Sequence, residues 1–557
     1  MKKHKIILSL CLVLAVLSIS CLPCLKNDFI NWDDRQYVTE NKLIMEWSGG
    51  NIETIFNSFY MGHYHPLTLL SYSLEYRFFK LNPLIYHLTN LILHLMNGLL
   101  VFLFIFLLRG EVLTSLVVSL LFGIHPLHVE SVAWISERKD VLYSFFFLGS
   151  MVVYLKYLKT KGRKYYFLSL FLFFLSLLSK SMAVTLPLVL ILCDYLLHRK
   201  FDRKWLIEKI PFLVMAFVFG VIALSAQGSS GTISQKSSFS FFKNIFILGE
   251  VSTSYFFKLI LPIKLACLYP PIKGMAGPWS YVYLPIIIGI LIAGIISGRY
   301  HRSITFGTFF FFATLLPVLP IKIVADRYTY IPSIGLFFIA AEGFNWLTRS
   351  RKERIKIIKI IAATLLIGIL GTFSYLTWGR CQVWRDSLSL WDDVLKKYPN
   401  TPIAYNNRGE AYLRKGDYER AISNYNQALR MDPDFGRANY FYVNRGTAHL
   451  LIGDYERAIA DYHQALRINP NDANAYHHRG TAYLNKGDPG EAISDFNKAL
   501  AINPRYAATY FNKALACEKI GNLREAVEAY RGFIENASPQ QANYINYAKE
   551  RIRELSR

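Results

Sequence analysis

Cysteine and acidic residues are both scarce in this 557-residue chain, and each scarcity closes off a class of protein. Seven cysteines at irregular positions give no disulfide framework. Cys21 and Cys24 form a C-x-x-C at the end of an apolar run, but no second pair follows, so neither a zinc site nor a redox site is indicated. Charged residues make up only 18% of the chain, and 62 Lys and Arg outweigh 39 Asp and Glu. The excess is uneven, because 37 of the basic and 18 of the acidic residues precede Tyr375. Positive charge gathered between apolar runs reads as membrane topology and not as a nucleic-acid surface.

What the chain has in abundance is apolar surface: 53% of residues are hydrophobic and 15% aromatic, too oily for a soluble protein of this length. Apolar runs that suit a crossing of roughly 20 helical residues fall near 5–23, 85–108, 112–130, 140–158, 165–179, 181–197, 210–226, 281–298, 303–320, 328–347 and 357–376. The expectation is therefore an all-α fold whose first part, 1–376, is a polytopic bundle of about eleven membrane helices. The first run follows Met-Lys-Lys-His-Lys and lacks a small-residue cleavage site, so it reads as an anchor and not a signal peptide. The loops KYLKTKGRK, HRKFDRK, GRYHR and RSRKERIK carry the basic excess and are placed on the cytoplasmic side with the amino terminus. An odd number of crossings then puts everything after residue 376 outside. The segment Phe241–Leu261 is apolar but interrupted by Lys243, Glu250 and Lys258, and is read as an interfacial or re-entrant helix on the outer face.

The second part repeats itself every 34 residues or so. Gly409, Tyr412, Ala421, Tyr425, Ala428 and Pro433 recur as Gly446, Ala458, Tyr462, Ala465 and Pro470, and again as Gly480, Tyr483, Ala492, Phe496, Ala499 and Pro504. A fourth, looser copy keeps Ala514, Ala526 and Tyr530. This is the tetratricopeptide (TPR) pattern, in which small residues let two antiparallel helices approach and a proline ends the second. An α-solenoid of about four repeats is expected over 402–540, preceded by a linker helix at 377–401 and followed by a terminal helix at 541–557. The sixth position of each repeat holds Asn407, Asn444, His478 and Asn512, on the surface that lines the concave side of such arrays. Asn both donates and accepts, which suits an extended peptide backbone of any sequence.

Candidate chemistry lies in loops assigned to the outer face. The loop 24–84 begins KNDFINWDDRQYVTEN, where adjacent Asp33 and Asp34 beside Trp32 and Arg35 suit a general base at the lipid boundary, or equally a capped turn. His63 and His65 follow in GHYHPLT. The next loop, IHPLHVESVAWISERKDVL, concentrates His125, His128, Glu130, Glu137, Arg138, Lys139 and Asp140 between two apolar helices, where charge is costly enough to imply purpose. Arg138 and Lys139 suit a phosphate. A metal held by His125, His128 and Glu130 is disfavoured by Pro126, which disturbs the spacing. Lys180 in LLSKSMAVTLP, and Asp326, Arg327, Tyr328 and Tyr330 in PIKIVADRYTYIPSIG, add acid and cation at the same surface. Four such loops at one membrane face are what a lipid-linked phosphate substrate requires.

The strings NWDD, YHPLT, NPLIYHLTNLILH, HPLHVESVAWISERKDVL, SKSMAVTLP and ADRYTYIPSIG, then Trp384, Trp391 and the repeats, resemble bacterial relatives of the transmembrane-and-TPR O-mannosyltransferases. The resemblance covers nearly the whole chain. It implies a GT-C glycosyltransferase that uses a polyprenyl-phosphate sugar on the outer face, with Asp33 or Asp34 at the catalytic position. Glu130, Arg138, Asp140, Lys180 and Arg327 match the other charged positions. Where such proteins often carry Arg before the first-loop proline, this chain has His65, which makes the local charge depend on pH. Direct attack by an acceptor hydroxyl inverts the sugar, and one carboxylate is enough because the leaving phosphate is already a stable anion. No cofactor is demanded, although a divalent metal between Asp and phosphate stays open. The expected partners are the lipid-linked sugar, an exported or membrane protein held by the repeats, and the bilayer. The rival readings are a non-catalytic TPR scaffold for envelope assembly, whose loop charges would be scattered, and a glycan ligase or polymerase.

Overall fold

A computed structural model of the chain describes residues 2–229, 241–270, 280–319, 323–349, 356–431, 438–538 and 541–556. Two compact units emerge, Met1–Asp393 and Val394–Arg557. The described residues are helical and form no β-strand, only an isolated bridge between Tyr60 and His63. Pro433 and most of the RSRKERIK loop lie outside them.

In the first unit every expected span overlaps helix, but 112–130 is broken in two and the helices differ in length. Five are long and apolar enough to cross a membrane: Lys3–Lys26, Pro83–Arg109, Ile135–Thr160, Arg203–Ser229 and Lys356–Val383. The 27 residues of Pro83–Arg109 extend about 40 Å at 1.5 Å per residue. Its start is set by Pro83 at the first turn and by the Asn82 side chain, which accepts from Leu84 N at 3.2 Å. Its end is set by Gly110 in the left-handed conformation, φ 74°. A sixth span forms if Val112–Gly123 and Pro126–Ala133, bent by 51°, are counted together. The break falls at Pro126, which has no N–H to give the preceding turn. Arg163–Ser179, Leu186–Leu196, Ser280–Ser297, Arg302–Leu315 and Ser333–Arg349 are shorter.

The unit is turned inside out relative to a water-soluble domain. Leu8, Phe217, Ile357 and Ile367 are well exposed, whereas Asn90, His94, Asn97 and Ser119 are fully buried. Such an arrangement suits lipid outside and satisfied polar groups inside. Asn97 donates to Val141 O at 2.9 Å, Ser119 to Gly98 O at 2.7 Å, and His94 Nδ1 meets the Tyr330 hydroxyl at 2.7 Å. Arg302–Leu315 and Ser333–Arg349 touch backbone to backbone: a Cβ on Gly307 or on Gly335 would come within 2.3 Å of the other's carbonyl oxygen.

The second unit is a solenoid of helix pairs: Pro402–Arg414 with Tyr418–Met431, Ala438–Leu451 with Tyr455–Ile468, Ala473–Lys486 with Pro489–Ile502, and Ala507–Lys519 with Leu523–Asn536. The helix Ala542–Leu555 packs on the last pair through Ala548. The glycine-to-aromatic spacing has a direct cause. A Cβ on Gly409, Gly446 or Gly480 would stand 2.7, 2.9 or 2.7 Å from the ring of Tyr425, Tyr462 or Phe496. Each of the first three pairs also carries a cross-helix bond, Arg408 to Asn424, Arg445 to Asp461 and Arg479 to Asp495.

Candidate active site

The aspartate pair separates into two unlike groups. Asp34 ends an irregular stretch and precedes the short helix Arg35–Thr39. It is 1% exposed, and its two oxygens accept three hydrogen bonds. Ile30 N donates to Oδ2 at 3.0 Å, Ser136 N donates to Oδ1 at 3.0 Å, and the Ser136 hydroxyl donates to the same Oδ1. Burial pushes its carboxyl up to about 6 in spite of those bonds. Asp33 is half-buried, and its carboxylate makes no hydrogen bond or ion pair among the described residues. Burial raises it above the usual carboxylate range, Lys139 pulls it back, and Glu137 and Arg327 act in turn. Adjacent in sequence, Asp34 ties two loops together while Asp33 keeps an uncommitted carboxylate.

Around Asp33 the loops deliver a cluster of alternating charge. Glu137 is its hub: Lys139 Nζ lies 3.2 Å, Arg327 Nε 3.2 Å and Lys180 Nζ 3.6 Å from its carboxylate. Arg327 also pairs with Glu130, whose Oε2 accepts from Arg327 N at 3.2 Å. Lys180 pairs with Asp140, which further accepts from the Ser131 hydroxyl at 3.1 Å. Asp326 accepts from the Tyr269 hydroxyl at 2.6 Å and lies 3.9 Å from Lys258 Nζ. Tyr328 presents its ring to both Arg327, at 4.9 Å, and Lys180, at 5.6 Å. Lys180 and Arg327 keep 13% and 17% of their side chains accessible, so both could meet a ligand without first being unburied.

Other sequence-selected residues stand elsewhere or behave differently. Arg138 is 0% exposed and each guanidinium nitrogen already has a protein partner, Asn90 at 2.8 Å, Glu75 at 2.5 Å and Tyr86 O at 2.7 Å, so in this structure it is enclosed by protein and does not reach the surface of the cluster. His65 is buried beside Tyr37, and neither ring nitrogen has a hydrogen-bond partner among the described residues. Burial, with Lys139, His63 and Lys180 nearby, holds it well below the usual histidine range. Its charge is therefore not set by pH near neutrality, contrary to the expectation from sequence. His125 Nε2 meets Leu259 O at 3.1 Å and His128 Nδ1 meets Phe122 O at 2.6 Å, which with the Glu130–Arg327 pair removes that trio as a metal site. Among the described residues no three His, Cys, Asp or Glu side chains gather as a metal ion requires, and all seven cysteines are free.

In the sequence Glu137 stands out only as one charge of its loop, although it organises three cations, Lys258 only as an interruption of an apolar run, and Tyr269 not at all. The signal for Lys258 was present: a charge interrupting an otherwise apolar run needs a partner.

In the solenoid, Asn444 Nδ2 donates to Asn406 Oδ1 at 2.9 Å, and Asn406 Nδ2 to Asn407 Oδ1 at 3.1 Å. Asn512 Nδ2 donates to Thr481 Oγ1 at 3.1 Å, while His478 stacks on Tyr462 at 5.9 Å. The carbonyl oxygens of Asn444 and Asn512 accept no hydrogen bond among the described residues.

Tetratricopeptide repeat family models match residues 402–435 and 473–506, and other TPR repeat models match 446–487 and 507–538. The chain is similar to the human Protein O-mannosyl-transferase TMTC3, with 25% identity over 67% of this chain and 45% of that protein. Protein O-mannosyl-transferase F38B6.6 of Caenorhabditis elegans is 24% identical over 76% of this chain and 63% of its own length. Human Protein O-mannosyl-transferase TMTC2 reaches 35% identity over 25% of this chain and 18% of that protein. The chain spans about half the length of the curated relatives it matches. The crystal structure of MamA is 26% identical over 28% of this chain and 90% of its own, with a TM-score of 0.26, too low to carry any inference.

Proposed function

We propose that this chain is a membrane glycosyltransferase of the GT-C kind, moving a mannose-like sugar from a polyprenyl-phosphate donor to a hydroxyl of an exported or membrane protein. The relatives that are O-mannosyl-transferases favour O-mannosyl transfer. The observation that carries the reading is an uncommitted Asp33 carboxylate facing a cluster fed by loops far apart in sequence, with Lys180 and Arg327 still partly accessible.

Asp33 accepts the proton of the acceptor hydroxyl as its oxygen attacks the anomeric carbon. The bond from that carbon to the phosphate oxygen breaks, and the electron pair leaves with the polyprenyl phosphate. Arg327 and Lys180 meet the charge that builds on the departing phosphate, with Lys139 behind them. One carboxylate and a direct displacement invert the sugar. The asparagine row of the solenoid, Asn407, Asn444 and Asn512 with His478, holds the acceptor through backbone hydrogen bonds. Basic loops on the cytoplasmic side put the aspartate loop and the repeats on the outer face.

The test is transfer of labelled sugar from a polyprenyl-phosphate donor to a Ser/Thr acceptor by the purified full chain. Asp33→Asn is expected to lower the rate by roughly 10²–10⁴-fold, the usual contribution of a positioned base. Equal transfer by wild type and Asp33→Asn refutes the assigned base.

A further inference from the structure

The segment that leads out of the last long apolar helix also forms a wall of the candidate site. Residues 27–32 are pinned to residues 381–391 at four points. Asn27 Nδ2 donates to Cys381 O at 3.1 Å and Asp28 N to Arg385 O at 2.9 Å. Asn31 N donates to the Ser387 hydroxyl at 2.9 Å, and Trp391 Nε1 donates to Asn31 Oδ1 at 2.8 Å. Trp32 then lies between two indoles, 4.9 Å from Trp391 and 5.3 Å from Trp134, and Trp134 stacks on Trp384 at 5.6 Å. Trp384 and Trp391 are both fully buried. Asp33 follows directly, held on one side by Trp32 and on the other by Asp34, which is fixed to Ser136.

We propose that Trp391 and Asn31 are positioning residues: the linker grips the aspartate loop through the Trp391–Asn31 bond and the Trp32 stack, and so sets where the Asp33 carboxylate points. This rests on the glycosyl-transfer reading for its catalytic half. Ser387 and Trp391 lie in the first turns of the helix Ser387–Lys397, which therefore support the base. A displacement of about 1 Å in a reacting group can cost on the order of 10²-fold in rate, so a linker that holds this loop sets kcat more than substrate affinity.

The experiment uses full-length protein carrying Trp391→Phe, Asn31→Ala, or both. Trp391→Phe keeps an aromatic ring in the stack, removes the N–H donor and leaves a small void where the larger indole stood. Two measurements are made: amide hydrogen exchange over residues 28–38, and kcat and KM for transfer from the polyprenyl-phosphate sugar. Each single variant is expected to speed exchange in that loop and lower kcat roughly tenfold to a hundredfold, with KM for donor and acceptor within about twofold. The double variant is expected to lower kcat by less than the product of the two single effects, because both singles break the same Trp391–Asn31 bond. Unchanged loop exchange overturns the proposal, as does a fall in kcat that only parallels loss of folded protein. Absence of transfer by the wild-type chain sinks the glycosyl-transfer reading instead, and the exchange measurement still decides whether the linker holds the loop.

Discussion

Replacing each aspartate of the pair by asparagine separates a structural carboxylate from a reactive one. Asp34 receives three donors on two oxygens: Ile30 N on one, and Ser136 N with the Ser136 hydroxyl on the other. An asparagine amide offers one oxygen only. If that oxygen faces Ser136, the amide NH₂ confronts Ile30 N; if it faces Ile30, the NH₂ confronts Ser136 N. Either orientation leaves at least one buried N–H without an acceptor, which costs about 1–3 kcal/mol. Asp33 loses no hydrogen bond on the same substitution, so its effect on stability is expected to be smaller than that of Asp34→Asn. Thermal unfolding of the purified full chain, run beside the transfer assay, should show Asp34→Asn unfolding several degrees lower with residual transfer in the folded fraction. Asp33→Asn should unfold closer to wild type and transfer poorly. Equal stability of the two variants, or a greater loss for Asp33→Asn, would refute the division of roles.

Two further outcomes follow from the same geometry. Burial raises Asp33, so its carboxylate takes up a proton at higher pH than a free aspartate, near about 3.9. Transfer should fall as pH drops through that raised value, and a pH–rate profile whose acid limb sits at or below the free-aspartate value contradicts Asp33 as base. Glu137→Gln removes the charge that Lys139, Lys180 and Arg327 share. Uncompensated buried charge costs about 3–5 kcal/mol, and a loss below about 1 kcal/mol on denaturant unfolding would show that Glu137 is no hub.

Helices and repeats were legible because long apolar runs and a 34-residue period are written directly in residue type, and Gly409 facing Tyr425 shows why that period holds. Glu130, Asp140, Lys180 and Arg327 were legible as charge at the ends of apolar segments, where it must find partners. The choice between neighbours was not. Arg138 and Lys139 are adjacent on a helix, about 100° apart around its axis, and only packing decides that the first meets Asn90 and Glu75 while the second meets Glu137. Asp33 and Asp34 differ in the same way, by the path of one turn. The burial of His65 was likewise invisible, since it depends on what Tyr37 and the loop above it cover.

The charge cluster, taken with Lys258, sets four cations against the five carboxylates of Asp33, Glu130, Glu137, Asp140 and Asp326. Such a site leaves one carboxylate in excess and exerts no long-range pull on dissolved anions. Free sugar phosphates and nucleotide sugars in the surrounding water gain nothing by approaching it. A donor anchored in the leaflet needs no such attraction, because lateral diffusion in two dimensions delivers it to the protein's edge. On the proposed glycosyl-transfer reading, that balance of charge favours a lipid-borne donor over a water-borne one before any contact with the sugar is made.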